Sequence, residues 1–204
     1  MGSDRSFPLT EPSLRRLPAR GRPTQSTTVI SAAMGAVVGP LPALRGVDGQ
    51  EIGLASFPAG RTLVLAFLGD SCPAVEACVP SLVDLQRRFE ARGLQVVAVN
   101  SNNPFLSPMD SPTEMSRFAR DWGLNFPYLK DFDGQWARGV GATNTPHFVV
   151  LDQNRRIRYR GRMFDSRDPE RASSRDLEDA VVGVLEGRSV ASSETRALGC
   201  SIVW

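Results

Sequence analysis

The sequence predicts an α/β fold with a central mixed β-sheet flanked by helices. Apolar runs bounded by glycine, typical of buried strands, alternate with segments whose apolar residues recur at helical spacing. Two Asp-containing turns between short apolar pieces add hairpins, so we expect antiparallel as well as parallel strand pairs. The 204 residues, 41% of them hydrophobic, suffice for one domain with a substantial core.

The first predicted elements are a hairpin, a strand and a helix. Residues 47–52 hold an Asp-Gly turn between apolar pieces and predict an N-terminal β-hairpin extension at the edge or end of the sheet. Residues 62–68 are almost continuously apolar and predict a central strand that is buried on both faces. Helical spacing then runs from Val75 to Phe89, and Gly93 ends the predicted helix.

The middle of the chain repeats the alternation of strand and helix. Residues 95–99 predict a second strand. Ser111 and Glu114 form a capping box with Pro112 at the first helical position, which predicts the start of a second helix.

The last predicted elements are a strand pair and a helix. Residues 148–151 and 157–160 flank a turn and predict two paired strands. Ser173 and Asp176 then predict the cap of a final helix.

Composition divides the chain into three parts. Residues 1–33 are rich in Arg, Pro and Ser without a hydrophobic period, which predicts a disordered or weakly ordered leader. A transit peptide, or a start codon assigned upstream of Met34, would have the same composition. We expect a domain over residues 34–188 and a C-terminal tail over residues 189–204 that carries Cys200.

Charge and hydropathy limit the partners. The 24 basic and 22 acidic side chains give a net charge of +2, so no nucleic acid and no membrane surface is expected as a partner. The apolar stretch 29–44 is interrupted by glycine and proline, unlike a membrane span or a signal peptide. Three cysteines cannot all pair within one chain, so we expect a free or cycling thiol and a cytoplasmic location.

Few side chains can supply nitrogen or sulfur chemistry. Lys130 and His147 are the single lysine and histidine of the sequence, and the cysteines are Cys72, Cys78 and Cys200. A Ser-His-Asp hydrolase, a multi-histidine zinc site and a Schiff-base enzyme are therefore tightly constrained. Cysteine chemistry is the option that this composition constrains least.

Cys72 lies where a strand ends and a helix begins. The free N–H groups and the dipole at a helix N-terminus stabilise a thiolate, so a lowered pKa is expected for Cys72. The end of a strand is also where α/β sheets place their chemistry. The alternative is a buried, purely structural cysteine.

Two prolines complete a known pattern. Pro80 lies inside the first helix and should kink it, and Thr145-Pro146 precedes a strand. A strand, a Cys at a helix start, a Pro within that helix and a late Thr-Pro resemble the thioredoxin-like fold. The resemblance implies that Pro146 is cis and that Thr145 and Pro146 pack beside Cys72 as site residues.

Five stretches narrow the resemblance, which covers about residues 35–204. They are Phe67-Leu68-Gly69-Asp70-Ser71-Cys72-Pro73, Phe126-Pro127-Tyr128-Leu129, Gly141-Ala142 with Thr145-Pro146, Tyr159-Arg160-Gly161-Arg162 and Gly199-Cys200-Ser201-Ile202-Val203-Trp204. Together they resemble redoxins of the alkyl hydroperoxide reductase and thiol-specific antioxidant superfamily, in the peroxiredoxin-like 1 group. The resemblance implies a thiol peroxidase or thiol-disulfide oxidoreductase that acts on a peroxide or disulfide substrate. Thioredoxin or a small thiol would be the reductant, and no organic cofactor or metal is required.

The sequence also departs from the motifs of the groups that it resembles. Val75 stands where a thioredoxin-type Cys-x-x-Cys pair would have its second Cys. Gly69 and Leu65 replace the Thr and Pro that true peroxiredoxins place before the reactive Cys. Asn144 occupies a position where many members of the group carry a Cys. These departures disfavour efficient peroxide reduction.

Two cysteines are candidates for resolving an oxidised Cys72. Cys78 is six residues further along, on a different side of the helix, and is interpreted as buried packing. Cys200 is the better candidate, because a tail could fold back over Cys72. Alternatively, Ile202 and Trp204 anchor the tail and Cys200 packs between them.

Other roles stay open at this stage. His147 either lies near Cys72 as a cation that lowers its pKa, or is a partly buried strand residue, which is the favoured interpretation. A copper-handling site built from Cys72, Cys78 and His147 would resemble the copper-chaperone branch of this fold. That branch has three residues between its two cysteines, whereas this chain has five, so the fit is poor. Three arginines are interpreted by default as solvated or ion-paired, although one of them could stabilise the thiolate; they are Arg138, Arg160 and Arg162. The rival function is a redox-inert binding module that docks a partner through the Trp204 tail.

Overall fold

The computed structural model describes residues 32–204. The predicted leader lies outside the described residues except for its last two positions. The strands are β1 (Leu44–Gly46), β2 (Glu51–Ile52), β3 (Thr62–Phe67), β4 (Leu94–Asn100), β5 (Tyr128–Lys130), β6 (Asn144–Thr145), β7 (His147–Leu151), β8 (Ile157–Gly161) and β9 (Cys200–Ser201). The α-helices are α1 (Pro73–Phe89), α2 (Pro112–Asp121), α3 (Gln135–Val140) and α4 (Asp176–Leu185).

A seven-stranded mixed sheet forms the centre of the fold, in the order β2-β1-β5-β4-β3-β7-β8. The strand β3 pairs in parallel with β4 and antiparallel with β7. The predicted hairpin is confirmed as β1 and β2 at one edge of the sheet. A separate two-stranded sheet joins β6 to β9.

Both faces of the sheet are covered, so β3 is buried along its whole length. Side chains alternate between the two faces of a strand. Val64 and Ala66 face a core shared with α1, α2 and α4, whereas Leu63, Leu65 and Phe67 face a second core shared with α3. This burial on both faces is why the strand has a continuous apolar sequence rather than an alternating one.

The first two predicted helices are confirmed. The helix α1 runs through Pro80 and is followed by a 3-10 turn that ends at Gly93, whose φ of 95° suits glycine. In α2, the Ser111 side chain accepts a hydrogen bond from the Glu114 N–H, as the capping box predicts.

The predicted cap of the last helix is wrong. The helix α4 begins at Asp176 with Arg175 at the N-cap, and no side chain caps it. The N–H groups of Ser173 and Ser174 instead donate to the Asp165 carboxylate. Ser173 is therefore part of the preceding loop. Within residues 32–204, no helix has the length and apolar character needed to cross a membrane.

Candidate active site: two thiols on separate elements

Cys72 is the N-cap residue of α1, directly after the turn that leaves β3. Its carbonyl accepts hydrogen bonds from the N–H groups of Val75 and Glu76 in the first helical turn. Pro73 fills the first helical position, where no N–H partner is needed. The side chain is only 2% exposed, so the thiol lies beneath the protein surface.

The Thr145-Pro146 segment packs against Cys72. The peptide bond between these two residues is cis, as the resemblance implies. The Cys72 thiol donates to the Thr145 carbonyl oxygen at 3.0 Å. Thr145 is itself buried and forms one residue of β6.

The C-terminal tail brings Cys200 onto the same place. The strand β9 pairs antiparallel with β6, with Cys200 opposite Thr145. Ile202 is buried in the core that includes α3, and its N–H donates to the Thr143 carbonyl oxygen at 3.0 Å. The Sγ atoms of Cys72 and Cys200 are consequently 2.8 Å apart.

Gly199 allows the tail to approach this closely. A Cβ atom at this position would overlap the Thr145 carbonyl group and crowd the Pro146 ring. Only glycine fits between the tail and the Thr145-Pro146 loop. The Gly that precedes Cys200 in the closing motif thus has a steric reason.

The end of the tail is held by polar and aromatic contacts. The Val203 N–H donates to the Asn102 side-chain oxygen at 2.9 Å, and the Val203 carbonyl accepts from the Asn103 N–H at 2.7 Å. The Arg138 guanidinium lies over the Trp204 ring, 4.2 Å from its centre. These contacts fix the strand that carries Cys200.

The pKa values of the two thiols are shifted in opposite directions. Burial opposes ionisation of Cys72, but hydrogen bonds from the Cys200 side chain and backbone and from the Val75 backbone outweigh it, so the pKa of Cys72 is lowered. The hydrogen bond to Cys72, with burial and the Cys72 charge, raises the pKa of Cys200 to about 11. Of the two thiols, Cys72 therefore ionises more readily, and Cys200 keeps its proton to higher pH.

A buried polar cluster supports the loops around the thiols. The Asp110 carboxylate accepts from the Asp70 N–H at 2.8 Å and from the Asn102 side-chain amide at 3.0 Å. The Lys130 ammonium donates to the Asn102 and Asp110 carbonyl oxygens. Burial raises the pKa of Asp70 to about 7 and lowers that of Lys130 to about 8. This cluster holds Asn102, the residue that binds the tail.

The space beside Gly69 is occupied. A Cβ atom at Gly69 would lie 2.7 Å from the Asn102 side-chain nitrogen and 3.0 Å from the Thr145 hydroxyl. The Thr that peroxiredoxins carry at this position would therefore not fit beside these two side chains. The replacement of this Thr by Gly69 therefore has a steric reason in the structure.

The remaining candidates lie away from this pair or in other contacts. Cys78 is a free buried thiol whose pKa is raised by burial. His147 is a buried residue of β7 whose pKa falls to about 4, through burial first and then Arg160, so it is neutral near pH 7. This agrees with the favoured interpretation of His147 as a strand residue, and not with the alternative of a cation beside Cys72. In the described part of the chain, no group of three or more His, Cys, Asp or Glu side chains could hold a metal ion, and a copper-handling role gains no support.

The three arginines also have other contacts. Arg138 packs on Trp204, Arg160 binds Glu194 and Arg162 binds Asp176. None of them is among the main influences on the pKa of Cys72.

Sequence reasoning missed part of the site. Asn102 and Asp110 lie in the segment after β4, which has no hydrophobic period, and we made no prediction for it. The polar residues directly after a central strand could have indicated that this segment contributes to the site.

A helix-capping cysteine beside a cis-proline loop, on a mixed sheet with helices on both faces, defines a thioredoxin-like redoxin. The family comparison is consistent with this class: the AhpC/TSA family model matches residues 39–160. The chain belongs to the AhpC/TSA family.

Curated relatives share part of their length with this chain. It is 26% identical over 114 residues to the thiol-disulfide oxidoreductase ResA of Halalkalibacterium halodurans, which is 56% of this chain and 60% of that protein. It is 27% identical over 115 residues to ResA of Geobacillus thermodenitrificans, covering 56% and 62%. The match thus spans less than two thirds of these relatives.

Solved structures share the fold over more of the chain. An uncharacterized conserved protein from Geobacillus kaustophilus matches with a TM-score of 0.78 and 32% identity, covering 84% of this chain and 92% of that one. A secreted Mycobacterium tuberculosis disulfide oxidoreductase homologous to E. coli DsbE matches with a TM-score of 0.52 and 24% identity, covering 69% and 94%. The second likeness concerns the fold alone.

Proposed function

We propose that the protein is a thiol-disulfide oxidoreductase whose redox centre is the Cys72–Cys200 pair. The observation that carries this proposal is the 2.8 Å separation of the two sulfurs. A disulfide bond is about 2.05 Å long, so the sulfurs need to move less than about 1 Å to form one. The pair takes the place of the Cys-x-x-Cys dithiol that the sequence lacks.

The two sulfurs differ in their access to solvent, which gives them different roles in the exchange. Cys72 is 2% exposed, whereas Cys200 lies on the surface. A partner thiol can therefore reach Cys200 but not Cys72 while the tail is docked. The sequence led us to expect Cys72 to attack and Cys200 to resolve; the burial favours Cys200 as the sulfur that meets the partner.

The exchange starts from the Cys72–Cys200 disulfide. A partner thiolate attacks the Cys200 sulfur, the bond to Cys72 breaks, and Cys72 leaves as a thiolate. A new mixed disulfide joins Cys200 to the partner. The lowered pKa of Cys72 makes it a good leaving group.

A second partner thiolate completes the reaction. It attacks the partner's sulfur in the mixed disulfide, which releases the partner disulfide and the Cys200 thiolate, and the latter takes up a proton. Two partner thiols have then been oxidised and one protein disulfide reduced. Run in reverse, the same steps reduce a substrate disulfide.

The relatives support this chemistry and suggest its partners. Several of them are thiol-disulfide oxidoreductases by name. We propose a disulfide substrate, with thioredoxin or a small thiol as reductant. We place the reaction in the cytoplasm, because three cysteines leave one thiol free, which a compartment rich in thiol reductants maintains.

A thiol count with peptide mapping tests the redox pair. Treatment of the reduced full chain with diamide should remove two of its three thiols and link Cys72 to Cys200. Cys78→Ala is the matched control and should behave like the wild type. A bond that involves Cys78, or three thiols that persist, would contradict the proposal and favour the redox-inert binding module.

The order of the two sulfurs has a separate test. Incubation with 2-hydroxyethyl disulfide should give a mixed disulfide at Cys200 in Cys72→Ser, and only a slow reaction at Cys72 in Cys200→Ser. Faster labelling of Cys72 would reverse the assigned order while leaving the redox pair intact.

Peroxide reduction is a second candidate, favoured by the lowered pKa of Cys72 and the thiol beside it. The Cys72 thiolate would attack a peroxide oxygen, release an alcohol or water and become a sulfenic acid. The Cys200 sulfur would then displace water and form the disulfide. This route is the main one if hydrogen peroxide oxidises the pair faster than 2-hydroxyethyl disulfide at equal concentration.

A further inference from the structure

We infer that a cavity beside Cys200 binds the carboxylate of a small thiol, or of its disulfide, and holds its sulfur for exchange with Cys200. The inference rests on the proposed thiol-disulfide exchange and adds the class of substrate. The carboxylate cavity is defined by a wall from β6 and β7 and a wall from the tail before β9. Its walls include Asn144, His147, Leu198 and Gly199.

The size and place of the carboxylate cavity suit a small substrate. Its volume is about 590 Å³, within the roughly 300–1,000 Å³ typical of ligand sites. Gly199 is the neighbour of Cys200 in the chain, and Asn144 pairs with Ser201. The cavity thus adjoins the strand pair that presents the exposed thiol.

The charges of the cavity favour an anion. Its walls carry three guanidinium groups against one carboxylate, that of Glu194, which binds Arg160. Arg167 and Arg196 are exposed and form no ion pair or hydrogen bond with any described residue. These two arginines are available to a ligand.

His147 supplies a buried donor that lacks an acceptor. Its Nδ1 atom accepts a hydrogen bond from the Thr143 N–H at 3.2 Å, so the ring proton of the neutral imidazole is on Nε2. His147 is 6% exposed, and among residues 32–204 its Nε2 atom has no hydrogen-bond partner. A buried N–H without an acceptor is costly, and His147 is one of the residues that line the cavity.

Arg167 links the cavity to the reactive sulfur. Its charge acts on Cys200 and opposes the other influences that raise the pKa of that thiol. A carboxylate held by the arginines places the thiol of the same small molecule near Cys200. The step that follows is the exchange described above, in which the ligand sulfur bonds to Cys200 and the Cys200–Cys72 bond breaks.

Two matched thiols test the inference kinetically. The oxidised full chain is reduced with 3-mercaptopropionate or with its neutral amide, 3-mercaptopropionamide, and rates are compared per thiolate. The acid should react faster and its rate should saturate. Arg167→Gln and Arg196→Gln should each lower the ratio of the acid rate to the amide rate by about three- to fivefold, the size expected of one accessible charge pair.

Arg120→Gln is the matched control. It removes the same charge from an exposed position on α2, outside the cavity walls, and should leave both rates unchanged. Equal per-thiolate rates for acid and amide, or equal effects of all three variants, overturn the inference.

A binding measurement separates this inference from the proposed function. His147 is the single histidine of the sequence, so its ring protons give one distinct set of NMR signals. Titration with 3-(methylthio)propionate, which has no thiol, should shift these signals saturably in the wild type and not in the Arg167→Gln/Arg196→Gln variant. Absence of a shift overturns the cavity even if the disulfide forms. A shift in a protein that forms no Cys72–Cys200 disulfide would support carboxylate binding in the cavity and contradict the proposed thiol-disulfide exchange.

Discussion

Cys72 and Cys200 divide two properties that a reactive thiol usually combines. Cys72 has the lowered pKa and is buried, whereas Cys200 is exposed and has a raised pKa. The hydrogen bond between them causes both shifts, because it stabilises the Cys72 thiolate and holds the proton on Cys200. Each sulfur therefore depends on the other for its chemistry.

Removing the Cys200 thiol should raise the pKa of Cys72. In Cys200→Ala the thiolate loses the hydrogen bond from the Cys200 side chain while burial still opposes its charge. At a given pH near the midpoint, the variant should carry less thiolate than the wild type. Thiolate absorbance at 240 nm against pH measures this, with Cys78→Ala as the control. An unchanged or lower midpoint would mean that the helix start alone activates Cys72.

At the scale of elements, a two-residue strand assembles the site. The strand β9 pairs with β6 rather than with the main sheet, and this pairing sets Cys200 opposite Thr145. Gly199 is the position where side-chain volume would prevent the pairing. The stability of this small sheet therefore decides whether Cys72 has a partner.

Gly199→Ala should separate the two thiols without affecting the rest of the fold. The added Cβ collides with the Thr145 carbonyl, so the tail must move outward. Formation of the Cys72–Cys200 disulfide should slow by on the order of 10²-fold, the cost of a misplacement of about 1 Å. A thiol time course after addition of diamide measures the rate. Gly39→Ala makes the same change where, among residues 32–204 and apart from the chain neighbours, no atom lies within 4 Å of the added Cβ, and it should have no effect. Equal rates in the two variants would show that the tail is not held by β6.

The elements with a local sequence pattern were predictable, whereas the short strands β6 and β9 were not. The apolar run at residues 62–68 predicted β3, because a strand buried on both faces needs apolar residues throughout. The capping residue Ser111 predicted the start of α2. The strand β9 has two residues, too few for any period, and its partner β6 is as short. Ser173 misled the capping rule because Asp165, eight residues earlier, accepts its N–H.

The candidate site could be predicted only where it depends on local sequence. Cys72, Thr145 and Pro146 follow from local motifs. The tail position of Cys200 made it a candidate, but its 2.8 Å approach depends on pairing across 128 positions of the chain, which no local pattern records.

At the scale of the whole molecule, oxidation would close a large covalent ring. Cys72 and Cys200 are 128 positions apart, and the segment between them contains most of the sheet and all four α-helices. A crosslink over such a long segment restricts the unfolded chain strongly. The redox state should therefore also set the stability of the fold.

The oxidised protein should melt at a higher temperature than the reduced one. A disulfide is typically worth about 2–4 kcal/mol, which corresponds to a rise in Tm of roughly 4–16 °C for a domain of this size. Calorimetry with and without a reductant measures the difference. Cys200→Ser, which cannot form the bond, should show none. Equal melting temperatures for the two wild-type forms would argue against a native Cys72–Cys200 bond.

The docked tail also has a mechanical consequence. When the thiols are reduced, noncovalent contacts such as the β6 pairing and those of Ile202, Val203 and Trp204 resist a pull on the C-terminal end, so β9 can separate from β6 without the breaking of a covalent bond. When they are joined, the same pull acts through the bond on the start of α1, and the chain between the two cysteines cannot extend. Oxidation would thus turn a tail that yields to small forces into one that transmits force to the centre of the fold.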